Sequence, residues 1–303
     1  MSAAAMVAPE PSLAVLLRAL KLPTFARLYE EIAQKAEQEG WSFAQYLRHL
    51  AILEVEERRR KRIVRNLKAS QLPSEKTLAT LRKQRLPAPV AKRLPTLCEG
   101  SFVERGDNVL IFGLPGRGKT HLACAIGHEL IRRGRRVLFV PTYALVQRLL
   151  NAKRELLLEK ELAHLDRFDA VILDDIGYVQ QDRDEMEVLF TFLAQRYERK
   201  SVVITSNLVF SEWDRIFKDP MTTAAAIDRL VHHATIIEMV GQSVRAEEAA
   251  ERAGAAARNR RKKSTTADAP ATTTKKNKNS EKGTTTTKNQ TRSTKESTTT
   301  GEM

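Results

Sequence analysis

The sequence predicts an α/β fold: a five-stranded parallel sheet flanked by helices, preceded by a small all-helical segment and followed by a disordered basic tail. Three observations carry this. Between residues 107 and 240, five short runs that are apolar throughout most of their length, rather than alternating, are separated by longer amphipathic stretches, as in parallel strands covered on both faces. Ahead of them, Leu13, Leu16, Leu17 and Leu20 recur at helical spacing. From Ser264 onward the chain has no Val, Ile, Leu, Phe, Trp or Tyr. Such a segment cannot bury enough apolar surface to offset the entropy of ordering.

Residues 1–70 read as the helical domain. Pro23 suits the first turn of a second helix with Phe25, Leu28, Tyr29, Ile32 and Ala36 on one side, ended by Gly40. Ser42 and Gln45 have the spacing of a capping box. The third helix they begin is expected to turn Phe43, Tyr46, Leu47, Leu50 and Leu53 inward and to run on into the basic stretch Arg58–Arg62. Residues 71–100 contain Pro73, Pro87, Pro89 and Pro95 among many basic side chains, and read as a linker with one or two short helices. Residues 101–250 read as the main α/β domain, with strands expected at Asn108–Phe112, Arg136–Val140, Ala170–Leu173, Val202–Thr205 and Thr235–Met239. Residues 251–303 are the tail.

Gly113-Leu114-Pro115-Gly116-Arg117-Gly118-Lys119-Thr120 follows the first strand and opens an amphipathic helix, with His121 next. This is a P-loop. Its glycines let successive N–H groups face a phosphate, Lys119 places a charge on the β- and γ-phosphates, and the Thr120 hydroxyl ligates Mg²⁺. The helix adds the positive end of its dipole. The third strand ends in Asp174-Asp175. Asp174 is placed for the Mg²⁺ shell and Asp175 for polarising an attacking water. Burying two such carboxylates without a purpose is costly. The fourth strand ends in Thr205-Ser206-Asn207. Where a strand separates the two nucleotide motifs, Asn207 has the chemistry to orient the hydrolytic water.

The order of P-loop, Asp-Asp strand, polar-tipped strand and AAAIDRLVHHATIIEM resembles the AAA+ ATPases, and within them the IstB-like ATP-binding proteins, the transposition helpers of bacterial insertion sequences. The resemblance covers roughly residues 11–250 and includes the N-terminal helices and the MTTAAAIDRLVHH stretch. It implies that Arg229 acts as an arginine finger on the nucleotide of a neighbouring subunit. It also implies assembly as a homo-oligomer on duplex DNA with ATP and Mg²⁺, and recruitment of the transposase encoded by the same element. An extra helical element over Val146–Asp166 carries Arg148, Lys153 and Arg154 as candidate phosphate contacts, beside Arg58, Arg59, Arg60, Lys61, Arg62 and Arg245. Two positions depart from the family pattern. Asp175 stands where many AAA+ proteins have Glu, which implies slow hydrolysis, and Val244 stands where family members often have Tyr.

Charge and cysteine content bound the remaining classes. The net charge is +14, yet residues 252–303 hold 13 basic and 4 acidic side chains, a net +9. The folded part is thus nearly balanced, and a nucleic-acid partner rests on the site and the family more than on charge. No run of ~18 apolar residues is present, so no membrane span is expected. The N-terminus lacks a basic segment followed by a long apolar one, and a cytoplasmic location is expected. Cys98 and Cys124 fit neither a disulfide framework nor a metal site. The adjacent His232 and His233, if helical, point to different faces, and no structural metal is expected. A helicase loader, a small-molecule P-loop kinase and a non-hydrolysing nucleotide-gated scaffold are the competing readings.

Overall fold

The computed structural model describes residues 12–177, 183–208, 212–213 and 220–240. Residues 251–303, expected to be a disordered tail, lie outside these, as does Arg245. Among the described residues no helix is long and apolar enough to cross a membrane.

The first three helices are α1 (Leu13–Ala19), α2 (Pro23–Gln38) and α3 (Phe43–Ser70). Pro23 occupies the first turn of α2. The Ser42 capping box is present: the Ser42 hydroxyl accepts from the Gln45 N–H at 3.3 Å, and the Ser42 N–H donates to the Gln45 side chain at 2.7 Å. The three helices share a core of Leu17, Phe25, Ile32 and Leu50, edged by Tyr46 and Leu53. Phe43 and Leu47, expected inward, are exposed instead. The inward stripe of α3 runs Tyr46–Leu50–Leu53, and Phe43 and Leu47 fall off it. Glu54 on the same face is buried and accepts from the Thr24 N–H at 2.8 Å and from Arg58 Nε at 2.7 Å.

The segment 71–100, expected to be a linker with one or two short helices, holds such helices but is packed against the sheet rather than free of it. A short 3₁₀ turn at Lys83–Arg85 leads to α4 (Ala88–Glu99) and α5 (Ser101–Arg105). Leu81, Val90, Leu94, Leu97 and Cys98 join the apolar layer beneath the sheet. Pro87 caps α4 and Pro89 sits in its first turn, where a missing N–H costs nothing. The prolines here start a helix rather than prevent one.

The sheet comprises β1 (Asn108–Phe112), β2 (Val137–Pro141), β3 (Ala170–Ile176), β4 (Ser201–Ser206) and β5 (Ala234–Glu238), all parallel, in the order β2-β3-β4-β1-β5. The connecting helices are α6 (Lys119–Arg132), α7 (Thr142–Arg154), α8 (Leu158–Leu165), α9 (Arg183–Arg196) and α10 (Pro220–Val231). The element expected over Val146–Asp166 is thus the body of α7 followed by α8. Alternate strand residues enter two separate layers. Leu110, Phe112, Leu138, Val140, Val171 and Leu173 face one layer. Val109, Ile111, Val137, Phe139, Ala170 and Ile172 face the other. Helices on both faces explain why the strands read as unbroken apolar runs.

A charge lies deep inside this core. Arg196 is 1% exposed and donates to the carbonyls of Leu165, Phe168 and Ser201 at 3.0–3.2 Å. Burial pushes its guanidinium down to about 10, against the pull of Asp166 and Asp169, so it stays charged at neutral pH. It ties α8, α9 and the start of β4 together.

Candidate functional site

The P-loop leaves the end of β1 and enters α6 with Gly113, Gly116 and Gly118 at φ +148°, +80° and +84°. At Gly113 the requirement for glycine is steric as well. A Cβ there would meet the Met239 carbonyl oxygen at 2.6 Å, a backbone atom unable to yield. The loop is held from both flanking strands. The Gly113 N–H donates to the Ser206 carbonyl at 3.2 Å, and the Met239 N–H donates to the Phe112 carbonyl at 2.7 Å. Arg117 also reaches Met239, donating to its carbonyl at 3.3 Å. Leu114 and Pro115 form the exposed crest, and Thr120 is half-buried at the helix start.

Lys119 is buried, and its ammonium donates to the Leu114 carbonyl at 3.1 Å and to Asn207 Oδ1 at 2.5 Å. β4 lies between β1 and β3 in the sheet. Its end therefore brings Asn207 between the P-loop and the acidic pair. On the other side, Asp174 Oδ1 accepts from the Thr205 hydroxyl at 2.6 Å, and that hydroxyl accepts from the Asp175 N–H at 2.9 Å. Thr142 Oγ1 donates to the Asp174 carbonyl at 3.0 Å. Asp175 sits at φ +57°, within a register irregularity between Leu173 and Ile176. A bulge of this kind re-aims a side chain beside a site. The two carboxylates consequently belong to β3 itself, which continues to Ile176.

His121 is turned away from the loop. Its Nε2 lies 3.1 Å from the Thr77 carbonyl and 3.2 Å from Thr80 Oγ1, so its ring fastens α6 to the segment before α4. Arg229 is exposed near the end of α10. The next residue, Leu230, is buried, and its carbonyl accepts from Asn108 Nδ2 at 3.2 Å. Asn108 begins β1 and Phe112 ends it. At 3.3 Å per residue Arg229 therefore lies about 13 Å along the sheet from its own P-loop.

The basic candidates divide into two sets. Arg58 pairs with Glu54, Arg60 and Lys61 with Glu57, Arg148 with Glu161 at 2.5 Å, and Lys153 with Glu187 at 2.9 Å. Arg59, Arg62 and Arg154 are exposed and make no ion pair among the described residues.

Sequence reading missed several contributors. Thr205 orients both acidic residues, and the Met239 carbonyl walls the loop at Gly113. Neither carries a motif signal, since both act through cross-strand register. Also missed is the meeting of His232 and His233 at Glu198. Both histidines lie beyond the end of α10 rather than within it, so helical geometry does not separate them.

A model of the IstB-like ATP binding protein family matches residues 15–252, which spans the N-terminal helices, the P-loop, the acidic strand and α10. This chain belongs to that family. Relatives include the insertion sequence ATP-binding protein y4iQ/y4nD/y4sD of Sinorhizobium fredii, 46% identical over 80% of this chain and 82% of that protein. The insertion sequence IS21 ATP-binding protein of Pseudomonas aeruginosa is 36% identical over 78% of this chain and 89% of its own length. Among solved structures, AMPPCP-bound DnaA from Aquifex aeolicus aligns with 58% of this chain and 54% of its own, at 18% identity and a TM-score of 0.47. The DnaC helicase loader aligns with 58% of this chain and 99% of its own, at 20% identity and a TM-score of 0.44. In this IstB-like chain β4 is inserted between the strand that bears the P-loop and the strand that bears the acidic pair.

Proposed function

We propose that this protein is an ATP-dependent, DNA-binding helper ATPase that assembles on duplex DNA and recruits and stimulates a partner transposase during insertion-sequence transposition. The observation that carries the reading is the convergence of Lys119, Asn207, Asp174 and Asp175 at the C-terminal end of the sheet, in a chain whose relatives are named insertion sequence ATP-binding proteins.

In this reading the P-loop N–H groups and Lys119 hold the β- and γ-phosphates of ATP. The donor set at Thr120 and Asp174, a hydroxyl and a carboxylate, suits a hard cation and would hold Mg²⁺. Mg²⁺ when bound there neutralises charge on the phosphates. The hydrogen bond from the Thr205 hydroxyl, which restrains the Asp174 carboxylate, supports this role. Asp175 accepts a hydrogen bond from the attacking water and takes its proton, and Asn207 orients that water. Its hydrogen bond to Lys119 couples the orienting amide to the phosphate-binding cation. Arg229, next to a Leu230 anchored at the start of β1 and so about 13 Å along the sheet from its own P-loop, serves the nucleotide of a neighbouring copy, where a guanidinium stabilises charge developing at the γ-phosphate. Hydrolysis is then possible only in an assembly. The DNA surface is drawn from Arg59, Arg62 and Arg154, whose charges are not already taken up by neighbouring carboxylates.

The test is particle size by light scattering with duplex DNA present. ATP is expected to produce large oligomers that ADP does not. A protein that stays monomeric with ATP and DNA sinks the proposal.

A further inference from the structure

The end of the sheet remote from the P-loop carries a second group of chemically active side chains. α10 stops at Val231, and His232 and His233 form the turn into β5. Backbone hydrogen bonds fix this turn. The His232 N–H donates to the Asp228 carbonyl at 3.0 Å, and the His233 carbonyl accepts from the Asn108 N–H at 2.8 Å. Glu198 projects from the connection between α9 and β4, where its φ is +56°. Its Oε1 is 3.7 Å from His232 Nδ1 and 3.7 Å from His233 Nε2, and the two imidazole centroids are 4.1 Å apart.

We propose that Glu198, His232 and His233 form a binding site for a divalent transition-metal cation of the Zn²⁺ class. Two imidazoles and a carboxylate are ligands typical of such ions, whereas Mg²⁺ and Ca²⁺ prefer oxygen throughout. Bonds of 2.0–2.2 Å in tetrahedral geometry place ligand atoms roughly 3.4 Å apart. The two 3.7 Å separations from Glu198 Oε1 reach that with side-chain movements of a few tenths of an ångström, and the three ligand atoms all lie within 4.8 Å of one another. The three side chains are each about half exposed, so an ion enters from solvent. Three protein ligands leave a fourth position for water. The Tyr197 hydroxyl, 2.9 Å from His232 Nδ1, competes for the nitrogen lone pair that the ion requires and is displaced when the ion binds. An ion here clamps the α9–β4 connection to the end of α10. Arg229 lies three residues before His232, so the clamp steadies the helix end that presents it. That last consequence rests on Arg229 acting in trans; the site itself does not.

The experiment uses the untagged full-length protein, stripped with a chelator and titrated by calorimetry with Zn²⁺ alone in excess Mg²⁺. One equivalent is expected to bind, and Co²⁺ in its place should give visible absorption bands of a four-coordinate site. His232→Ala, His233→Ala and the near-isosteric Glu198→Gln should each weaken binding by at least ~10-fold, the lower end of what lost metal-site support costs. Tyr197→Phe should bind as tightly as the parent or more tightly. Zn²⁺ should also raise the Tm of the parent and not of the three variants. Absence of Zn²⁺ binding to the parent, or full binding by all three variants, overturns the site. Lys119→Ala is expected to bind Zn²⁺ normally, which separates failure of this site from failure of the nucleotide reading.

Discussion

The Lys119 ammonium donates to the Asn207 amide oxygen at 2.5 Å, joining the phosphate-binding loop to the tip of β4. Asn207→Ala removes this contact without touching the glycines. ATP affinity is expected to change only a few-fold, while kcat falls by about 10²-fold, the scale of losing one oriented polar group at a reacting centre. Nucleotide titration and steady-state ATPase assays separate the two. An equal loss in both would mean that Asn207 acts by holding Lys119 alone.

Gly113→Ala places a methyl group against the Met239 carbonyl and strains a backbone at φ +148°. Destabilisation of about 2 kcal/mol is expected, together with loss of ATP binding, because β1, the loop and the end of β5 must separate. Thermal unfolding with and without ATP measures both. Gly40→Ala is the control: it has a positive φ and open space around the added methyl, and should leave ATP binding intact.

Arg229→Ala is expected to retain ATP binding and lose about 10³-fold in hydrolysis, the lower end of what an arginine finger supplies. Lys119→Ala should be inactive through loss of binding. If Arg229 works across an interface, mixing these two inactive proteins restores part of the activity, since some interfaces then pair an intact loop with an intact arginine. A mixture as inactive as its components would remove the trans assignment.

Duplex affinity should fall with salt in proportion to the phosphates neutralised. Replacing Arg59 and Arg62 together by Gln is expected to reduce the slope of log K against log salt by about 2. Arg148→Gln should leave it nearly unchanged, because that guanidinium already faces Glu161. Equal effects would show that the internal ion pairs open on DNA.

Glu54 connects pH to the packing of α2 on α3. Burial raises its carboxyl, but hydrogen bonds from Arg58 and Thr24 prevail and hold it below the ordinary value. The contribution is therefore complete at neutral pH and disappears as pH falls through the lowered value. Glu54→Gln should lower Tm at pH 7, and the gap to the parent should narrow on acidification. A gap that stays constant into the acid range would show that the carboxylate charge is not what matters.

Much of the fold was legible because the strands are buried on both faces and announce themselves as apolar runs. The P-loop was legible because glycine spacing, a preceding strand and a following helix are all local. The contacts missed depend on which strands become neighbours. Thr205 and Asp174 are 31 residues apart, and only the β3–β4 register brings them to 2.6 Å. The segment 71–100 contains short helices as its sequence predicts, but its packing against the sheet is not legible from composition. There Val90, Leu94, Leu97 and Cys98 keep a helical stripe through Pro95. Phe43 and Leu47 show the converse, since apolar residues near a helix start need not face its core.

α3 extends 28 residues without a break, about 42 Å, from the N-terminal helical core to the edge of the sheet. At its far end Ile63 and Leu67 pack beneath the sheet, and Asn66 Nδ2 donates to the Arg135 carbonyl at 3.2 Å, immediately before β2. The N-terminal helices are thus mounted on a stiff rod rather than a tether. A tilt of a few degrees at the sheet end becomes a displacement of several ångströms at Phe43, with no hinge along the rod to absorb it.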